Sequence, residues 1–404
     1  MADSRYNVII IGGGVVGLGV ALEITRRFPN VRLLLLEKED RVARHQSGHN
    51  SGVIHSGVYY KPGSMKARLC VAGAAAMVEF CREHGVAHEV CGKVIVATLP
   101  DELPRLEELR RRGEANGLVG LRMIGPDELR EIEPHATGLQ ALVVPSTGIT
   151  DYARVCEKYA ELIAGNGGTV LTSVAATGIR RMPGEIVVES SKGAFSAGAM
   201  INCAGLFSDR ISRMAGDDPG VMIVPFRGEY YDLIPERATL VRSLIYPVPD
   251  PQFPFLGVHF TRRITGTVDA GPNAVLALAR EGYRHSDINV RDLASSLAFP
   301  GFWRMARRNW RNGFDEFRRS FSKPLFVRAL QRLVPEIGES DLVPGGAGVR
   351  AQALKADGAL VDDFQFVPSG KVLHVLNVPS PAATASLAIG KAIVATAAAS
   401  LSLA

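Results

Sequence analysis

Apolar positions change their period twice within the first forty residues. Tyr6-Asn-Val-Ile-Ile-Ile11 is a short apolar run that meets Gly12-Gly-Gly-Val-Val-Gly17, as a buried strand does on entering a tight turn. Helical spacing then holds to Arg27, and Val31-Arg-Leu-Leu-Leu-Leu-Glu37 predicts a second strand. Pro62 to Glu83 predicts a helix with Met65, Leu69, Ala72, Ala76 and Phe80 on one face, and Asp151 to Ala164 another. Lys93-Val-Ile-Val-Ala-Thr98, Thr169 to Val174, Glu185 to Ser190, Ala199 to Cys203 and Leu373 to Val378 predict strands, and Ser380 to Ala399 a closing helix. Residues from about 216 to 340 are dense in proline and in β-branched or aromatic side chains, the composition of an antiparallel sheet. The alternating charges of Glu102 to Asn116 mark a solvated face.

Strand, glycine turn, helix, strand is the order of a dinucleotide site, and the glycines at 12, 14 and 17 stand at its spacing. One makes the turn, one lets backbone amides reach a pyrophosphate, and one packs helix on strand. The helix N-terminus adds partial positive charge beside Val15 and Val16. Glu37, 20 positions beyond Gly17, is placed to accept from a ribose 2′-hydroxyl and to repel a 2′-phosphate. The ligand expected from the residues is FAD or NAD. Gly345-Gly-Ala-Gly-Val-Arg350 lacks the third glycine, so one dinucleotide is the count.

A polar, glycine-rich stretch from Ser47 to Ala67 follows almost at once. Gly48, Gly52, Gly57 and Gly63 permit close backbone approach, while His49, Asn50, Ser51, His55, Tyr59, Tyr60 and Lys61 crowd donors and acceptors together. The run His49-Asn-Ser-Gly-Val-Ile-His55, with Tyr59-Tyr-Lys-Pro-Gly63 behind it, resembles the L-2-hydroxyglutarate oxidase and dehydrogenase family of flavoproteins. So do Asn202-Cys-Ala-Gly-Leu-Phe-Ser-Asp-Arg210, Pro225-Phe-Arg-Gly-Glu-Tyr230, Ile245-Tyr-Pro-Val-Pro-Asp250, Pro254-Phe-Leu-Gly-Val-His-Phe-Thr261, Gly271 to Leu276, Gly348 to Ala353 and Pro379 to Thr384.

That resemblance covers nearly the whole chain and implies a D-amino-acid-oxidase-like α/β fold. A Rossmann-like FAD domain (1–83, 146–215, 341–404) would interleave with a substrate domain on a mostly antiparallel sheet (84–145, 216–340). FAD would meet Gly12, Gly14, Val15, Val16, Gly17, Glu37, Lys38, His45, Ser47, Asn50, Ser51, Val174, Ala204, Gly205, Gly348, Ser380, Ala382 and Ala383. Amides at the start of the closing helix would face the flavin. For the substrate, a secondary alcohol with two carboxylates, Arg350 would clamp the C1 carboxylate with Tyr60 or Tyr246 assisting, and Arg227 or Lys61 would take the distal one. His55 leads as the base that takes the hydroxyl proton while hydride passes to the flavin, with His259 second. Arg227 has an alternative in an ion pair with Glu229 or Asp232. Another 2-hydroxy-acid, amine or amino-acid oxidase, or a non-catalytic FAD-binding protein, are the competing readings. Electrons would go on to oxygen or a membrane quinone.

Composition changes this picture little. The formal charge of +5 in 404 residues suits an anionic cofactor and substrate without calling for nucleic acid. Cys70, Cys81, Cys91, Cys156 and Cys203 form no CxxC or zinc spacing, so no metal is expected. The first strand begins at residue 6, which leaves no room for a signal peptide, so a reducing, cytoplasmic setting is expected. Pro300 to Lys323 stands apart. Trp303, Trp310, Phe314, Phe317 and Phe321 fall at helical spacing with Arg304, Arg307, Arg308, Arg311, Arg318 and Arg319 opposite. Such a helix either covers its own sheet, since aromatic stripes usually pack inward, or lies on the inner face of an anionic membrane as a peripheral contact.

Overall fold

The computed structural model describes residues 5–250, 257–309, 318, 320 and 322–401. In chain order, the elements that position the site are β1 (Tyr6–Ile11), α1 (Val15–Arg27), β2 (Leu33–Leu36), α2 (Met65–Glu83), β3 (Lys93–Ala97), β4 (Gln140–Val144), α3 (Tyr152–Gly165) and β5 (Thr169–Leu171). They continue with β6 (Gly193–Asn202), β7 (Met222–Leu233), β8 (Leu244–Pro247), β9 (His259–Arg262), β10 (Val268–Gly271), α4 (Lys323–Gln331), β11 (Leu342–Leu354), β12 (Val372–Asn377) and α5 (Ser386–Leu401).

The first sheet has a parallel centre in the order β5, β2, β1, β6, β12. β1 reads as an unbroken apolar run because both of its faces are covered. Val8 and Ile10 pack with Leu18, Leu22, Ile389 and Ile393 of α1 and α5, while Ile9 and Ile11 pack with Leu36, Met200 and Ile211. Each such side chain removed from water contributes about 1.5–3 kcal/mol. α1 and α5 approach closely because they cross on glycines. A Cβ on Gly19 would lie 2.8 Å from the Ser386 carbonyl oxygen, and one on Gly390 2.6 Å from that of Gly19.

The second sheet is mostly antiparallel, with β7, β10, β9, β8, β3 and β4 side by side and one parallel pair, β8 with β3. Alternation sorts its side chains. Val94, Val96, Ile245 and Phe260 face Phe326 and Leu330 of α4 in one core, whereas Ile95, Ala97, Leu244 and Tyr246 face Val53 and Val58 of the glycine-rich stretch in another. A small sheet of Val53–Ile54, Gly148–Thr150 and His88–Glu89 ties that stretch to the second domain.

Three expectations change. Residues 342–354 belong to the second sheet, not the cofactor domain, since β11 pairs with β7 from Leu342↔Leu233 to Leu354↔Met222. Their glycines are accommodated within a strand instead of making a turn. The closing helix begins at Ser386, and residues 380–385 form turns in which Ala382 N donates to Pro379 O and Ala385 N to Pro381 O. The start of α5 therefore lies further along the chain than the sequence pattern predicts. The basic aromatic segment is a helix over Pro300–Arg308 that stops at Asn309. Phe302 packs inward beside Met305, while Trp303 stays 58% exposed. Trp310, Arg311, Phe314, Phe317, Arg319 and Phe321 lie outside the described residues.

Candidate active site

At the C-terminal ends of β1, β2 and β6 lies a cavity of about 250 Å³ lined by Gly12, Gly14, Glu37, Lys38, His45, Ser47, Val174, Ala204 and Gly205 among others. Its floor is built by close approach. Gly12 has φ +113°, and a Cβ there would meet the Cys203 carbonyl oxygen at 2.5 Å, while a Cβ on Gly17 would lie 2.0 Å from that of Gly12. The Glu37 carboxylate accepts from Gly13 N at 2.6 Å and Glu39 N at 2.9 Å, so the turn and the acid that ends β2 fix one another. Ser47 Oγ accepts from Val15 N at 2.8 Å, tying the polar stretch to the start of α1. Val174 N is taken by the Glu37 carbonyl. Lys38 stands at the rim in ion pairs with Glu39 and Glu281, and His45 Nε2 lies 2.8 Å from the Glu39 carboxylate and 3.1 Å from that of Glu281. A glycine-lined floor beneath a helix N-terminus, with a buried acid one strand away, fits the adenosine and pyrophosphate of a dinucleotide.

A second group of polar side chains gathers where the second sheet meets the glycine-rich stretch. His55 N donates to Thr384 Oγ1 at 3.0 Å, and the Cys70 thiol to His55 O. The Thr384 bond joins the stretch to the 379–385 turns. The half-buried His55 keeps an Nδ1 that is shut off from solvent and has no hydrogen-bond partner. Burial, then the charges of Lys93 and His259, push its pKa down to about 3, so the ring is neutral at physiological pH. His259 is buried, and its Nδ1 lies 2.7 Å from the Gly257 carbonyl. A carbonyl only accepts, so Nδ1 carries the proton and Nε2 the lone pair. Burial and the charges of Arg350 and Lys93 hold its pKa down to about 3, the Gly257 bond opposing them. The Arg350 charge acts on the buried Tyr230 hydroxyl, and Tyr246 OH lies 3.4 Å from Thr261 Oγ1.

The structure thus brings His55, His259, Tyr60, Tyr246 and Arg350 into one neighbourhood. Arg227 is not among them. Arg350 is opposite Phe226 and Arg227 opposite Val349, so the two arginines point to opposite faces of the β7–β11 ribbon. Arg227 spends its donors on Glu229 at 2.7 and 3.0 Å and on the Arg284 carbonyl at 2.9 Å, beside His285. The ion-pair alternative holds, and the distal-carboxylate role does not fit this geometry. Lys61 is exposed. Asn50 braces its own loop through Gln46 O, Ser47 O and Gly52 N. At Gly348 a Cβ would meet His49 O at 2.6 Å, so this glycine lets the second sheet touch the polar stretch. One residue of the site escaped the sequence reading, Lys93. Lys93 opens an apolar strand, and the only signal for it was strict alternation with Ile95 and Ala97.

Parallel strands with a dinucleotide cavity at their C-terminal ends, an antiparallel sheet that carries Arg350 and the neutral His259, and the neutral His55 on the glycine-rich stretch between them define a dinucleotide-dependent oxidoreductase. The family model described as FAD dependent oxidoreductase matches residues 7–396, and the chain belongs to that family. It is 52% identical over 386 residues to the L-2-hydroxyglutarate dehydrogenase of Indibacter alkaliphilus, covering 95% of this chain and 97% of the relative. To the mitochondrial L-2-hydroxyglutarate dehydrogenase of Homo sapiens it is 45% identical over 405 residues, covering 96% and 88%. Among solved structures, the L-alpha-glycerophosphate oxidase of Mycoplasma pneumoniae with FAD bound matches at a TM-score of 0.80 and 22% identity, covering 97% and 94% of the two chains. Glycine oxidase from Geobacillus kaustophilus matches at 0.71 and 18%, covering 97% and 94%. At these identities the two structures speak for the fold.

Proposed function

We propose that the chain oxidises L-2-hydroxyglutarate to 2-oxoglutarate with FAD. The observation that carries this reading is the grouping of Arg350 with two neutral histidines opposite the dinucleotide cavity, in a chain 52% identical to an L-2-hydroxyglutarate dehydrogenase. Bound FAD supplies the hydride acceptor. Gly12, Gly14, Val15 and Val16 would hold its pyrophosphate, with Gly17 packing the helix on the strand beneath, and Glu37 would hold its ribose, with Lys38, His45, Ser47, Val174, Ala204 and Gly205 around the adenosine. Asn50, Ser51, Gly348, Ser380, Ala382 and Ala383 would border the rest of it.

Arg350 binds the C1 carboxylate through its planar fork. His55 takes the C2 hydroxyl proton on the Nδ1 that no protein group satisfies. Its low pKa keeps it unprotonated in the free protein, and the substrate's negative charge raises its affinity for the proton when it is needed. His259, with its tautomer fixed by Gly257, orients the substrate. The test is product formation. With a dye as electron acceptor, each L-2-hydroxyglutarate consumed should yield one 2-oxoglutarate, and the D isomer none.

The acceptor in the cell is read as a membrane quinone. The relatives' names say dehydrogenase, and the exposed Trp303 sits beside Arg304, Arg307 and Arg308 on a surface helix suited to anionic lipid. No helix among the described residues is long and apolar enough to cross a membrane, so such contact would be peripheral. All five cysteines are unpaired, in keeping with the cytoplasmic side. Sedimentation with anionic vesicles, lost in Trp303→Ala, tests the contact.

A further inference from the structure

Lys93 is the residue that the reaction as described leaves unused. It is 2% exposed at the start of β3, on the face that also carries Tyr246. Its ammonium lies 4.4 Å from the ring centroid of Tyr59 and 4.8 Å from that of Tyr246. Among the described residues it has no carboxylate or carbonyl partner. Two aromatic faces offset only part of the loss of water around a buried ammonium. Two further unmet groups stand beside it. The Tyr59 hydroxyl is buried without a hydrogen-bond partner, and so is His55 Nδ1. Buried polar groups are nearly always paired, so two unpaired ones beside an ammonium that faces only aromatic rings mark a place completed by a ligand.

From this geometry we infer that Lys93 and the Tyr59 hydroxyl bind the distal carboxylate of the substrate, and that Lys93 is the residue that makes the site select a diacid. The inference rests on the proposed oxidation of L-2-hydroxyglutarate. It replaces Arg227, whose donors are already spent on Glu229, and Lys61, which is exposed. The charges then match: Arg350 meets the carboxylate next to the reacting carbon, and Lys93 meets the one at the other end. Burial alone lowers the Lys93 pKa to about 7, and a carboxylate arriving beside it restores the charged form. A ligand ending in a methyl group would leave the ammonium unmatched, which is how a buried cation rejects the wrong substrate.

The experiment compares the FAD-loaded protein with Lys93→Met, a substitution of similar volume that removes the charge and keeps an apolar body. Anaerobic flavin bleaching is followed with L-2-hydroxyglutarate and with L-2-hydroxypentanoate, which carries a methyl where the distal carboxylate would be. Losing a buried charge pair should lower the second-order rate for the diacid by about 10²–10³-fold, chiefly through weaker binding, while that for the monoacid should be undiminished or rise, because the unmatched ammonium that rejects its methyl end is gone. Binding of glutarate, measured by calorimetry, should weaken by about the same factor as for the diacid. The Phe variant of Tyr59, keeping the ring but not the hydroxyl, should show a smaller loss in the same direction. Equal losses on both acids, or undiminished glutarate binding, would overturn the assignment. If the unaltered protein is not bleached by L-2-hydroxyglutarate at all, the substrate reading fails and the anchor with it. That outcome is distinct from a bleached parent beside a variant damaged equally towards both acids.

Discussion

Lys93 and His259 press on the ring of Tyr246 from strands on its two sides, the ammonium 4.8 Å and the imidazole centroid 3.8 Å from its centroid. One tyrosine thus separates a buried cation from a buried neutral base and keeps both on one face of the sheet. The consequence is electrostatic. Lys93 lowers the proton affinity of His259 and of His55 together, so changing this lysine alters both histidines.

The first prediction concerns stability. Burial holds the folded-state pKa of Lys93 near 7, whereas an unfolded chain keeps the lysine proton to about pH 10.4. Between those values the unfolded state binds more protons, so substrate-free protein should gain stability as pH rises from 7 towards 10, by up to about 1.4 kcal/mol per pH unit. Urea midpoints at pH 7 and pH 9 should separate in that sense, and Lys93→Met should bring them together. His55 and His259, with pKa values near 3, add a similar rise only at lower pH, between about 3 and 6.5.

A second prediction tests the cofactor floor. Gly17→Ala would place a methyl 2.0 Å from the Gly12 carbonyl oxygen, a backbone clash of the kind that costs about 1–3 kcal/mol or more. The variant should purify with little flavin and a lower melting temperature. Gly63→Ala should keep its flavin, since a Cβ at Gly63 meets nothing within 4 Å, though its φ of +79° will cost some stability. Absorbance of the purified proteins near the flavin maximum checks both.

Glu37→Gln provides a milder probe. The carboxylate accepts from two backbone amides and is 8% exposed, and an amide can keep only part of that pattern. FAD should be lost about tenfold more readily on dialysis, corresponding to about 1.4 kcal/mol, with the fold intact by circular dichroism.

The histidines should separate by rate. His55→Gln should slow flavin reduction by about 10²–10⁴-fold, the range for a lost general base, while glutarate still binds. His259→Gln should chiefly weaken substrate binding. A near-normal reduction rate in the His55 variant with a collapsed rate in the His259 variant would reverse the two roles.

Much of this fold was legible because its most regular segments obey simple periods. The glycine turn, Glu37 and the buried run of β1 follow from local spacing, and the covered parallel sheet explains why that run does not alternate. Arg350 was legible only through the family resemblance. Strand partnership decided the rest, and a sequence does not display it. Arg227 and Arg350 look equivalent along the chain, yet the β7–β11 register turns them to opposite faces. Lys93 reads as a strand edge until β8 lays Tyr246 beside it. The 342–354 segment carries glycines that would suit a turn, yet it is a strand because β7 lends it a full ladder.

The central claim is that this site oxidises L-2-hydroxyglutarate, and anaerobic titration of the yellow protein with each isomer of 2-hydroxyglutarate tests it most directly. The L isomer should bleach the flavin stoichiometrically, the D isomer should leave it yellow, and admitting air should restore the colour only slowly. A flavin that stays oxidised with both isomers would contradict it.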